Sequence, residues 1–144
     1  MSIREIHHCS VCGTCYKVQL HHVAFRSQAP LLKNISLNFK YLCNEHHQGK
    51  NGPHKNRYVD LTYKLELQDK LIELFSKDFY TEKEIQELLN TTSSTARKIC
   101  KRLRLYKGGY RNKELVKRLM GDRIYTQEEL KDVEYEDPWG GVLK

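Results

Sequence analysis

The sequence has no long apolar run. Nothing in it approaches the roughly 18 apolar residues of a membrane span, so no spanning helix and no membrane partner are expected. Its first ten residues, MSIREIHHCS, have no apolar core and do not resemble a secretory leader. Apolar residues make up only 39% of the 144 positions, below the usual globular share. A small unit so poor in apolar material often depends on a staple, either a metal or disulfides. With no leader, the expected setting is the reducing cytoplasm, where neighbouring Cys and His signal metal rather than disulfide. No internal repeat is visible. The length fits one ordinary domain, or two small ones.

What the chain has in excess is positive charge: net +7 and a pI near 9.1. A polyanionic partner fits that balance. The charge is concentrated. Ten Lys/Arg and one acid, Glu114, lie between Arg97 and Arg118; six acids and one Lys lie between Thr126 and Asp137. The acidic run reads as a solvated, frayed tail over about 133–144. The basic run falls on a helix suited to DNA.

Five cysteines stand at 9, 12, 15, 43 and 100. Cys9-Ser-Val-Cys12-Gly13 is a turn that lets two thiolates reach one ion. Cys43-Asn-Glu-His46 repeats the spacing with a His in the last place. A hairpin between the halves would join Cys9, Cys12, Cys43 and His46 in a structural zinc site, whose full shell leaves no open position. Cys15 and Cys100 read as bystanders, Cys100 on an apolar helix face.

Tyr16–Leu20 alternates and is rich in strand formers, delivering His21 and His22 at its end. Neighbouring strand residues face opposite ways, so one His can bind a metal while the other addresses another spot. Residues 24–37 read as a loop and Asn38–Cys43 as a second strand. NEHHQ opens a helix with Asn44 as its cap, broken at Gly49 and Gly52-Pro53.

His-His-Val, then Asn38 in N-x3-L-C, then C-x2-H-H resemble the HNH nuclease motif, and HHQGKNGPHKN resembles small phage-type members of that family. The resemblance covers roughly residues 9–58. It implies a ββα-metal fold, a hairpin plus helix often pinned by a zinc knuckle, in a bacterial or phage-infected cell. It also implies that His21 and His47 are catalytic-metal ligands, that His22 is the general base, and that Asn38 braces the loop positioning His22. The third ligand is His54 or Asn51, with His54 the stronger ligand chemically. His46 stands where many relatives carry a fourth knuckle Cys, and zinc accepts a Cys3His shell. Imidazole, titrating near pH 6.5, can take a proton from water at neutral pH. A divalent ion (Mg2+, Mn2+, Ni2+ or Zn2+) can offset charge on the leaving oxygen. Histidine-rich ligation leans toward the transition ions.

Beyond residue 60 the pattern turns helical. Apolar residues between Leu61 and Ser76 read as one amphipathic helix. Thr81-x-x-Glu84 is a capping box opening a short helix to Leu89. Asn90, which tolerates a left-handed turn, leads through Thr-Thr-Ser to a helix over Ser94–Leu105. The spacing predicts a helix-turn-helix over about 82–105, presenting Ser94, Thr95, Arg97, Lys98, Lys101 and Arg102 for phosphates and base edges. Lys107-Gly-Gly-Tyr reads as a loop. Short helices are expected from Lys113 and from Thr126.

The expected fold is therefore α+β: a zinc-pinned HNH unit over 1–60 and a mainly helical DNA-binding region over 61–144. The expected function is a metal-dependent DNA endonuclease. The rival is a non-catalytic, zinc-containing helix-turn-helix regulator. RNA or branched DNA would suit the same chemistry.

Overall fold

The computed structural model describes residues 5–135, with side chains to Val133. The class is α+β. The chain divides into two compact units, each discontinuous in sequence: residues 5–23, 39–63 and 126–135 in the first, residues 24–38 and 64–125 in the second.

In the first unit, strand β1 (Val18–His22) pairs antiparallel with β2 (Phe39–Cys43), Val18 opposite Cys43 and His22 opposite Phe39. The strand begins two residues later than its alternation suggested, because Lys17 sits at φ 51° and breaks the extended chain. Both histidines thus lie inside β1. His21 is buried and His22 half-buried, as opposite strand faces require. Helix α1 (Asn44–Gln48) follows β2 without a break and packs against both strands. Its cap position is held by Cys43, in extended conformation, so Asn44 is the first helical residue and not the cap. Cys9, Leu42 and Cys43 form a small buried core, covered by Val18 and Tyr63.

Helix α2 (Arg57–Leu74) runs through the division between Tyr63 and Lys64. It starts four residues before Leu61. The start is set by a polar cap, Asn56, whose Oδ1 accepts the Val59 N–H at 3.3 Å, and apolar periodicity is blind to such a cap.

In the second unit, β3 (Phe79–Tyr80) leads into α3 (Glu82–Leu89), α4 (Ser93–Cys100), β4 (Leu105–Tyr106), β5 (Gly109–Arg111) and α5 (Asn112–Leu119). The Thr81 capping box forms in full, and Asn90 takes φ 50°, ψ 51° at the end of α3. Helix α3 packs on α4, and α4 on α5, burying Ile85, Leu89, Ala96, Ile99, Leu115 and Leu119. Helix α4 stops at Cys100, short of Leu105, because Leu105 and Tyr106 leave it to form β4. The Lys107–Tyr110 stretch is correspondingly the turn of a hairpin and the start of its second strand, with Tyr106 opposite Gly109. The sheet order is β3-β5-β4. Gly109 makes this possible: at φ +121°, a Cβ there would meet the Tyr80 carbonyl oxygen at 2.6 Å.

Helix α6 (Gln127–Tyr135) returns to the first unit, opened by Thr126 Oγ1, which accepts the Glu129 N–H. Val133 is buried, so residues 133–135 are helical and not frayed. The rest of the expected acidic tail, with Trp139, lies outside the described residues. Among the described residues no helix is long and apolar enough to cross a membrane.

Candidate metal centres

Two groups of side chains that could hold a metal ion form in the first unit, the adjacent His46 and His47 belonging one to each. The first is Cys9, Cys12, Cys43 and His46, whose donor atoms lie within 4.8 Å of one another. The Cys12 and Cys43 sulfurs are 3.8 Å apart. His46 Nδ1 is 3.2 Å from the Cys43 sulfur and 3.7 Å from that of Cys9. An ion with zinc–sulfur bonds of about 2.3 Å in a tetrahedral shell places its ligands about 3.5–3.8 Å apart. The cluster can therefore hold a structural ion such as zinc with little movement.

Its electrostatics favour thiolate at Cys9 and oppose it at Cys12. Burial opposes ionisation of Cys9, but hydrogen bonds from the surrounding backbone outweigh it and lower its pKa to about 6. One of them is the Val11 N–H, 3.4 Å from the sulfur. At Cys12 the Thr14 backbone acts to lower the pKa. Desolvation and the neighbouring Cys9 and Cys43 sulfurs prevail and raise it. A cation among the sulfurs would remove that repulsion. None of the five cysteines is in a disulfide.

The second group is His21 of β1, His47 of α1 and His54, again with ring nitrogens within 4.8 Å. The ring centroids are 4.7–5.1 Å apart, and His47 Nε2 lies 3.0 Å from His54 Nε2. His21 and His47 are buried and His54 is exposed, so the group opens to one side. Burial, followed by the neighbouring His54, pushes the His47 pKa down. That keeps the imidazole in the neutral, metal-binding form. Three convergent imidazoles suit a transition ion.

The return of His54 depends on Gly52. A Cβ there would meet the His47 carbonyl oxygen at 2.4 Å and that of His46 at 2.9 Å. The Gly52→Ala variant is expected to push the turn off α1, costing about 1–3 kcal/mol of stability. It should weaken metal uptake by the three histidines while the Cys3His site still holds one zinc. Metal analysis and chemical denaturation check this; unchanged uptake would refute it.

His22 points away from this group, with its ring 5.4 Å from that of Phe39. Asn38 is fully buried. Its Oδ1 accepts the Ala24 N–H at 2.7 Å, and its Nδ2 donates to the Ala24 and Leu32 carbonyls at 3.0 and 3.3 Å. These bonds close the 24–38 segment on itself, two residues after His22. Asn51 is exposed, in the turn after α1.

In the second unit, Ser94, Arg97 and Lys98 are exposed on α4, and Lys101 and Arg102 are exposed just after its end. Thr95 differs: it is half-buried, its N–H bonds Thr92 Oγ1, and its hydroxyl accepts from the same group. It thus belongs to the helix cap. Cys100 is buried, and burial followed by Glu82 pushes its thiol up to about 11, as suits an inert core residue.

Sequence reasoning missed two features. Gln19 Oε1 lies 2.7 Å from His47 Nδ1; its position two residues before His21, on the same strand face, was the available signal. The second is the β4–β5 hairpin, which carries exposed Lys107 and Arg111 of the basic run. Comparison with protein-family models, curated proteins and solved structures finds no match. The case for function therefore rests on these side chains.

Proposed function

We propose that the protein is a metal-dependent endonuclease of the HNH, ββα-metal kind that hydrolyses phosphodiester bonds in DNA. The observation that carries this reading is the convergence of His21 of β1, His47 of α1 and His54 of the turn after α1, with His22 next to His21 on β1. A zinc module alone gives no reason for a second, solvent-open group of three imidazoles.

In this reading His21, His47 and His54 hold one divalent ion. When bound, that ion supplies positive charge to the scissile phosphate and the departing 3′ oxygen. His22, on the other strand face, takes a proton from the attacking water as general base. Asn38 holds the chain at Ala24 and so limits the positions open to His22. The Cys3His site with zinc fixes α1, and with it His47, because His46 and His47 are adjacent. Positioning of this kind keeps catalytic groups within a fraction of an ångström.

For the second unit we propose DNA binding. We read its two short packed helices, α3 and α4, as a helix-turn-helix; Ser94, Thr95, Arg97, Lys98, Lys101 and Arg102 lie on or just past α4. The exposed basic side chains suit phosphates, and the N-terminal ones suit base edges. Since Thr95 is held in the helix cap, the reading leans on the other five. The same pair favours the rival, a zinc-containing regulator that binds DNA without cutting.

Counting metals separates the two. Native mass spectrometry of chain loaded with zinc and then Ni2+ or Mn2+ should show two ions. His47→Ala should lose one of them together with nicking activity. A single ion held by Cys9, Cys12, Cys43 and His46, with DNA binding intact, would favour the regulator.

A further inference from the structure

The three-histidine group has a polar neighbour with no assigned role. Gln19 lies on β1 two residues before His21, so alternation puts both on the face toward α1. Its Oε1 is 2.7 Å from His47 Nδ1, a short hydrogen bond. An amide oxygen only accepts, so in this bond His47 Nδ1 carries the proton. A neutral imidazole has one N–H and one lone pair. The lone pair of His47 is then on Nε2, the nitrogen 3.0 Å from His54 Nε2.

We propose that Gln19 is a positioning residue of the metal site, holding His47 in the tautomer and ring orientation that turn its Nε2 lone pair toward His54 and an incoming cation. The inference rests on the metal site of the proposed nuclease and adds a residue to it. With His47 Nε2 as acceptor, the hydrogen in the His47–His54 contact belongs to His54. A cation binding between the two rings takes that hydrogen's place, and the proton moves to His54 Nδ1 or to solvent. Gln19 thereby makes His47 ready to ligate before metal arrives. Partners of this type, bonded to the far nitrogen of a ligating histidine, typically contribute about 10–100-fold in metal affinity. The amide turned the other way would donate to Nδ1, leave the proton on Nε2 and block ligation. The orientation is therefore testable.

The test uses the full chain with zinc in its Cys3His site, titrated with Ni2+. Gln19→Leu should bind Ni2+ about 10–100-fold more weakly. Gln19→Glu, which keeps the acceptor, should bind at least as tightly as the wild type. In the metal-free histidine site, long-range 1H–15N NMR should find His47 protonated on Nδ1 in the wild type and a mixture of tautomers in Gln19→Leu. Gln19 is exposed, so the variants should fold, and one bound zinc per chain reports that they have. Equal Ni2+ affinity in Gln19→Leu, or a wild-type His47 protonated on Nε2, would overturn the proposal. A wild type that takes up no Ni2+ beyond its zinc would overturn both this role and the metal site. Ni2+ uptake that depends on Gln19, without nicking in any metal, would keep the role and remove the nuclease.

Discussion

Replacing His22 with alanine is expected to slow nicking of supercoiled plasmid by about 10²–10⁴-fold, the usual contribution of a general base. The protein should keep its zinc and its second metal. The expectation follows from the strand. His22 and His21 are neighbours in β1, so their side chains lie on opposite faces, and the His22 ring sits against Phe39 rather than among the metal-binding imidazoles. Removing it deletes a proton acceptor and leaves His21, His47 and His54 in place. His21→Ala should lose activity by a different route, through loss of the second ion. Metal content measured beside cleavage rate separates the two. A His22→Ala protein that cuts at the wild-type rate would remove His22 as the base.

Replacing Cys43 with serine should have the larger effect on the fold. Cys43 ends β2, occupies the cap position of α1, belongs to the small buried core and supplies one of four donors. Apparent zinc affinities at such sites amount to about 10–16 kcal/mol, comparable to the whole stability of a typical domain, about 5–15 kcal/mol. The buried cluster at that site is small, Cys9, Leu42 and Cys43 with two half-buried neighbours, and two of its three members are themselves donors. Cys43→Ser is therefore expected to lose zinc, to lose the ordered amide signals of residues 9–23 and 39–54 in NMR, and to lose metal binding at the three histidines. The same loss should follow when a strong chelator strips zinc from the wild type, and returning zinc should reverse it. Ordered signals in zinc-free protein would contradict the account.

How much was legible depended on whether a feature is local. Cys9, Cys12, Cys43 and His46 could be paired from sequence because a two-residue spacing places two donors on one turn. His21 and His22 could be sent to opposite faces because a strand has period two. The Thr81 capping box and the left-handed Asn90 were visible because each is set within four residues. The β4–β5 hairpin was not: strands of two and three residues carry no periodicity, and Lys-Gly-Gly-Tyr has the composition of a loop. Helix α2 was placed late because Asn56 starts it, and the end of α4 was missed because Leu105 suits a helix face as well as a strand. The cap at Cys43 was hidden because capping there comes from backbone geometry, with no side-chain hydrogen bond. Gln19 was passed over because its partner is 28 positions away. Thr95 was read as a surface contact because its bond to Thr92 depends on the cap geometry of α4.

The most direct measurement is cleavage of supercoiled plasmid by purified zinc-loaded protein in Mg2+, Mn2+ or Ni2+, with an EDTA control. The account predicts conversion to nicked or linear DNA that requires the added metal and stops in EDTA. Intact plasmid in every metal, from protein that carries its second ion and binds DNA, would contradict it.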